Sequence, residues 1–170
     1  MTIQESTTGE PQAERTLITA KSEYRLAADR IIAMAQQELR IFDPDLEEFR
    51  LETPERIHAL RQFLSRSRDN RVWIVVHNPE YIKRHCPRLI SLLGSYSGFI
   101  AIYRTLGDAA LAQDCFVLAD RMHVVRRPVA KQSRGVLLIN DPKEGHGMYG
   151  RFSEIWESSE SGASANTSGL

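Results

Sequence analysis

Seven consecutive residues, Arg71 to His77 (RVWIVVH), constrain the fold of this chain more than any other stretch. Between their polar ends they are apolar at every position. A strand with one face in water alternates apolar and polar residues, so a strand that does not alternate must be covered on both faces. Neighbouring segments supply the covering helices. Tyr24, Ala27, Ile31, Met34 and Ala35 recur at helical spacing in the first of them. Thr53 and Pro54 offer an N-cap and a first-turn proline to a second, whose Ile57, Leu60 and Leu64 form a buried stripe. Asn78 and Pro79 repeat that signal, and Pro87 breaks the third helix at Cys86 before PRLISLLGSY continues it. Met148, Phe152, Ile155 and Trp156 lie on one face of a closing helix. RIFD (ended by Pro44), FIAIYR and GVLLIN read as strands, and LGDAALA as a short helix or loop. QDCFVLADRMHVVRR reads as two strands meeting near Asp120 and Arg121. This alternation predicts an α/β fold with a mixed, largely parallel sheet sandwiched between helices, its later strands forming an antiparallel portion. A generic doubly wound α/β domain is the alternative.

Composition narrows the class. Lys plus Arg and Asp plus Glu both total 22, so nothing global directs the chain to nucleic acid or anionic membrane. Apolar runs such as VWIVV and VLLI are too short to span a bilayer, and no membrane insertion is expected. Residues 1–18 and 159–170 are polar and low in complexity, which predicts disordered tails around a folded unit of 19–158. The N-terminal residues hold no apolar core of a secretory signal. Cys86 and Cys115 form neither a metal spacing nor a disulfide framework. A reduced, cytoplasmic protein is the expectation. Gly145 and Gly147 in KEGHGMYG read as a loop without the strand-to-helix pattern of a phosphate loop. Metal ligands do not cluster, so neither metal nor cofactor is expected.

The order of elements, together with QDCFVLADRMHVV and the late RFSEIWE, resembles one repeat of the phospholipase D superfamily over about residues 20–157. In that family a strand carries His-x-Lys-x-x-x-x-Asp, followed by a Gly-Ser-x-Asn-like turn. The histidine attacks phosphorus, and the lysine on the same strand face stabilises the phosphoryl oxygens. A second such motif supplies the general acid. Carried over, the pattern puts Gln113 in the histidine place, Cys115 in the lysine place and Asp120 in the aspartate place. VVRRPVAKQ does not reproduce the turn. None of His58, His77, His85, His123 and His146 is followed by a lysine two residues on. Glutamine is neither nucleophile nor general acid, and a neutral thiol cannot replace an ammonium. The resemblance therefore implies a single degenerate repeat with no catalytic residues of the family kind.

Other readings compete for the same residues. Free cysteine is so often buried that Cys115 reads as an inert strand residue before a nucleophile. Asp120 reads equally as a turn residue, and His77, ending a central strand, as a satisfied histidine or part of a crevice. From Arg121 to Arg134 there are five Lys or Arg residues and no acid. Arg127 shares a strand face with His123, and Arg126 lies on the other. A solvated, charge-protected edge explains this segment, or else His123, Arg126, Arg127 and Lys131 bind an anion. The leading functional expectation is a binding or regulatory module for a phosphate-bearing ligand or a nucleic-acid backbone. A protein-interaction or scaffolding domain, and a weak phosphodiesterase using His123 or Cys115, are the alternatives. Because single-repeat relatives pair two chains, the resemblance also implies a homodimer meeting near Gln113 to Asp120.

Overall fold

The structure, a computed structural model, describes residues 11–165. Its strands are β1 (Glu14–Ile18), β2 (Glu38–Asp43), β3 (Arg71–Val76), β4 (Ile100–Thr105), β5 (Cys115–Ala119), β6 (His123–Arg127), β7 (Gly135–Ile139) and β8 (Ser159–Ala163). Its helices are α1 (Lys21–Met34), α2 (Pro54–Arg66), α3 (Glu80–His85), α4 (Pro87–Ser95) and α5 (Pro142–Glu157), with a 3-10 turn over Gly107–Leu111. The strands form one sheet in the order β1-β7-β6-β5-β2-β3-β4-β8.

RVWIVVH lies inside this sheet as β3, flanked on both sides by parallel neighbours. Val72, Ile74 and Val76 pack into a core with residues of α1, α2 and α4. Val75 turns the other way, into a second core with Phe42, Phe116 and the Met148, Phe152 and Ile155 of α5. The sheet is mixed, as expected, but it is mostly antiparallel rather than largely parallel. Among the described residues, helical crossovers join neighbouring strands only from β2 to β3 and from β3 to β4, and those are the parallel pairs; α1 and α5 instead lead to strands that are not neighbours of the ones they leave. β5, β6 and β7 follow one another through short turns, too short to return a strand to its starting end.

Helix starts were legible. Thr53 Oγ1 accepts from the Arg56 amide at 3.4 Å, and Asn78 Oδ1 accepts from the Glu80 amide at 2.9 Å. Cys86 separates α3 from α4. One start differs: Gly145 and Gly147 are helical, because α5 begins at Pro142 with Asp141 Oδ1 accepting from the Glu144 amide at 3.1 Å. Gly145 is required by a close approach, since a Cβ there would overlap the Arg121 carbonyl.

The ordered fold is also wider than 19–158. β1 pairs with β7 and β8 with β4, so residues 14–18 and 159–163 are the two edges of the sheet. Backbone pairing orders these polar segments where side-chain burial could not. Residues 1–10 and 166–170 of the expected tails lie outside the described residues. Among the described residues no helix is long and apolar enough to cross a membrane.

Candidate functional site at the carboxyl edge of the parallel strands

β2, β3 and β4 end at one edge of the sheet, where the antiparallel β5 begins and β6 finishes. Cys115 pairs in register with Arg127. Phe42 pairs with Phe116, so continuing that register sets Asp43 beside Cys115. All three side chains belong to the α1 face, and each is buried. Arg127 Nε donates to Cys115 Sγ at 3.3 Å, and its guanidinium lies 4.6 Å over the Tyr24 ring. Burial pushes the Cys115 thiol up, and the Arg127 hydrogen bond only partly offsets this. Asp43 Oδ2 accepts from the Leu46 amide at 2.7 Å and the Asp45 amide at 3.3 Å, while burial pushes its carboxyl up to about 6.

The loop after β2 closes over this edge. Leu46, Phe49 and Leu51 are buried, and Phe49 packs edge-on against Tyr24 with ring centroids 6.1 Å apart. Leu46 and Arg50 hold φ of 69° and 55°, left-handed values that side chains rarely adopt. Between them Glu48 faces outward. Its Oε1 lies 2.8 Å from Lys21 Nζ and 3.3 Å from an Arg127 terminal nitrogen, and its backbone carbonyl accepts from Arg25 at 3.2 Å.

The other sequence candidates are dispersed. Gln113 is exposed at the same edge, its carbonyl accepting from the Ala130 amide at 2.7 Å. Asp120 lies at the opposite end of β5 with φ 53°, accepting from the Gln36, Gln37 and Glu38 amides at 2.9, 2.9 and 3.1 Å. It ties the β5–β6 turn to the start of β2. His123 is buried near Asp120, about 13 Å along β6 from Arg127. Its Nδ1 accepts from the Asn140 amide at 3.0 Å, and burial holds its pKa below the ordinary imidazole value. It borders a cavity of about 650 Å³ that Asp120 and Met122 also line. Arg126 faces α5 instead, its Nε buried without a partner and a terminal nitrogen 3.9 Å from Glu144. Lys131 is exposed beyond β6. The four residues of the basic segment thus do not form one patch.

His77 is a cross-brace. Its Nε2 donates to the Ala112 carbonyl at 2.8 Å, which leaves Nδ1 to accept from the Thr105 hydroxyl at 2.7 Å. Sequence reasoning missed Asp43, Glu48, Lys21 and Arg25. An acid ending the apolar RIFD strand was the available signal for Asp43, since polar groups at a carboxyl edge line crevices in α/β sheets. It also missed Arg40 on the other face, whose guanidinium sits 4.3 Å from the Trp73 centroid and 4.5 Å from that of Tyr149. One Arg40 terminal nitrogen lies 2.8 Å from Glu38 Oε1, close enough to pair charges but not aligned for a hydrogen bond.

A protein-family model described as Domain of unknown function (DUF7931) matches residues 20–166. No curated protein sequence matches the chain. Among solved structures, Nuc, a phospholipase D family member from Salmonella typhimurium, is similar at 15% identity and TM-score 0.61, over 88% of this chain and 98% of that one. NucT from Helicobacter pylori is similar at 14% identity and TM-score 0.58, over 88% of this chain and 99% of its own. TrmBL2, described as an archaeal chromatin protein with a novel mode of DNA binding, is similar at 15% identity and TM-score 0.62, over 92% of this chain and 56% of its own. The fold is that of phospholipase D.

Proposed function

The chain belongs to the family described as Domain of unknown function (DUF7931), and from that premise we propose that it is a catalytically inactive phospholipase D-like domain that binds a phosphate-bearing ligand at the carboxyl edge of β2, β3 and β4. The observation that carries this reading is the Cys115–Arg127 contact. Where the resemblance calls for a lysine, a buried thiol is bonded to a cation on the neighbouring strand. A positive charge therefore stands at this edge, without a nucleophile beside it. Gln113 cannot attack phosphorus, and the raised Cys115 thiol carries little thiolate. His77 has both ring nitrogens committed, and His123 is at the far edge. The DNA binding named for TrmBL2 makes a nucleic-acid backbone one candidate ligand.

The test has two arms. Bis(p-nitrophenyl) phosphate should be cleaved no faster by the protein than by buffer. Turnover that disappears in Cys115→Ala would overturn the inactive reading. Thermal-shift measurements with inorganic phosphate, phosphomonoesters and a short single-stranded oligonucleotide should show stabilisation that weakens with salt, as phosphate contacts do. If none of them stabilises the protein, the phosphate reading fails and a protein-interaction or scaffolding domain takes its place.

Pairing of two chains remains part of the proposal. Cys115–Ala119 is buried in the sheet, so a partner would meet the exposed residues near Gln113 rather than the strand itself. Light scattering at micromolar concentration should give about twice the 19.3 kDa chain mass. A chain-sized mass, unchanged by phosphate, removes the dimer.

A further inference from the structure

We propose that Lys21 and Arg127 form a seat for a terminal phosphate, and that the chain keeps this seat filled with its own Glu48 carboxylate until a phosphorylated small molecule displaces it. The inference rests on the functional reading above and deepens it.

The argument begins with an imbalance of burial. Arg127 is 3% exposed, an expensive place for a permanent charge. Yet its ion-pair partner Glu48 has a side chain 45% exposed, as does Lys21 at 38%. The guanidinium is thus reached from solvent through the carboxylate itself. Cys115 and Tyr24 hold it from beneath, through the Nε–Sγ bond and the ring face, so its position does not depend on Glu48. The cover has a fixed base and a free end. Arg25 holds the Glu48 backbone carbonyl, and buried Phe49 anchors the next residue, while the carboxylate has no described contact beyond Lys21 and Arg127. Rotation of the Glu48 side chain alone would open the site, with the loop left in place.

What replaces Glu48 follows from charge. Two cations converge on one carboxylate oxygen, Lys21 at 2.8 Å and Arg127 at 3.3 Å. With Glu48 turned away, Lys21 and Arg127 are both left without it, and only Arg127 has a nearby carboxylate, Asp43, to offset its charge. A phosphate monoester, doubly charged near neutral pH with three terminal oxygens, satisfies both cations together. A diester carries one charge and buries its phosphorus between two substituents, so it offers the two cations less charge and fewer terminal oxygens. The seat therefore favours a terminal phosphate on a small molecule over a nucleic-acid backbone.

Isothermal titration with inorganic phosphate, and with dimethyl phosphate as the diester probe, tests this. Glu48→Gln keeps the shape of the cover and removes its charge, so it should bind inorganic phosphate at least tenfold more tightly than the unaltered chain. Lys21→Ala, at a half-buried position at the start of α1, should bind it at least tenfold more weakly. Adding Arg127→Met to Glu48→Gln should abolish the gain, with circular dichroism reporting whether that variant folds. Dimethyl phosphate should bind poorly throughout. If phosphate binds equally in the unaltered chain, Glu48→Gln and Lys21→Ala, the seat is elsewhere and this inference fails while the functional reading stands. Preference for dimethyl phosphate also overturns it. If no phosphate compound binds any of these proteins, both fall together.

Discussion

Asp43 accepts two backbone hydrogen bonds, yet burial raises its carboxyl from 3.8 to about 6. Asp45 works in the same direction and Arg127 in the opposite one, less strongly than burial. An acid whose folded value is raised binds its proton more tightly in the native state. Its contribution therefore favours folding at low pH and declines as pH climbs from about 4 to about 6. Above that window the charged carboxylate weighs against the fold by at most about 3 kcal/mol. Asp43→Asn should accordingly raise the urea midpoint at pH 8, with the gain shrinking towards zero below pH 4. A gain independent of pH would contradict this account. Cys115 allows a second prediction. Restoring the family pair with Gln113→His and Cys115→Lys should not restore phosphodiester cleavage. The new ammonium would be buried against Arg127, and the fold should lose about 3–5 kcal/mol, read by denaturant unfolding.

Among the elements, α5 shows how far sequence signals reach. Its apolar face was legible from Met148, Phe152 and Ile155, which fill the second core. Its start was not, because two glycines suggested a loop, although Asp141 and Pro142 repeat the cap-and-proline signal of Thr53 and Pro54. The glycine at 145 serves a tertiary contact with the Arg121 carbonyl, which local propensity does not encode. Gly145→Ala should therefore destabilise the protein despite alanine's higher helix propensity, whereas Gly147→Ala, with open space around it, should stabilise it by up to about 1 kcal/mol. Thermal unfolding of the two variants separates these outcomes, and equal shifts would remove the close-approach explanation. Phe152→Ala should cost about 3–5 kcal/mol, since Phe152 packs against Phe116 and lies over the Arg40 guanidinium. Strand direction escaped for a different reason. Apolar patterning reports burial but not polarity of pairing, which depended on the short connections after β5 and β6.

At the level of the whole molecule, the fold was more legible than the site. Helix periodicity and the doubly buried β3 encode layers directly. The edge cluster instead joins Lys21, Asp43, Glu48, Cys115 and Arg127, residues scattered along the chain that only strand register and a folded loop bring together. Asp120 was visible by spacing, and its bonds to three amides give it a place in the architecture far from Gln113. The terminal strands were hidden because polar edge strands resemble tails. They cap β7 and β4, so a chain trimmed to 19–158 should expose two unpaired strand edges and self-associate. Dynamic light scattering of the trimmed and full chains checks this, and a trimmed chain no more associated than the full one would count against it.

Because β1 and β8 occupy opposite ends of an eight-stranded sheet, they stand about 34 Å apart across seven strand spacings. A circular permutant joining the two ends would thus need a bridge of roughly ten extended residues simply to cross the sheet. Modules joined directly to Glu14 and Ala163 would start from opposite flanks of the sheet, which would hold those two attachment points apart.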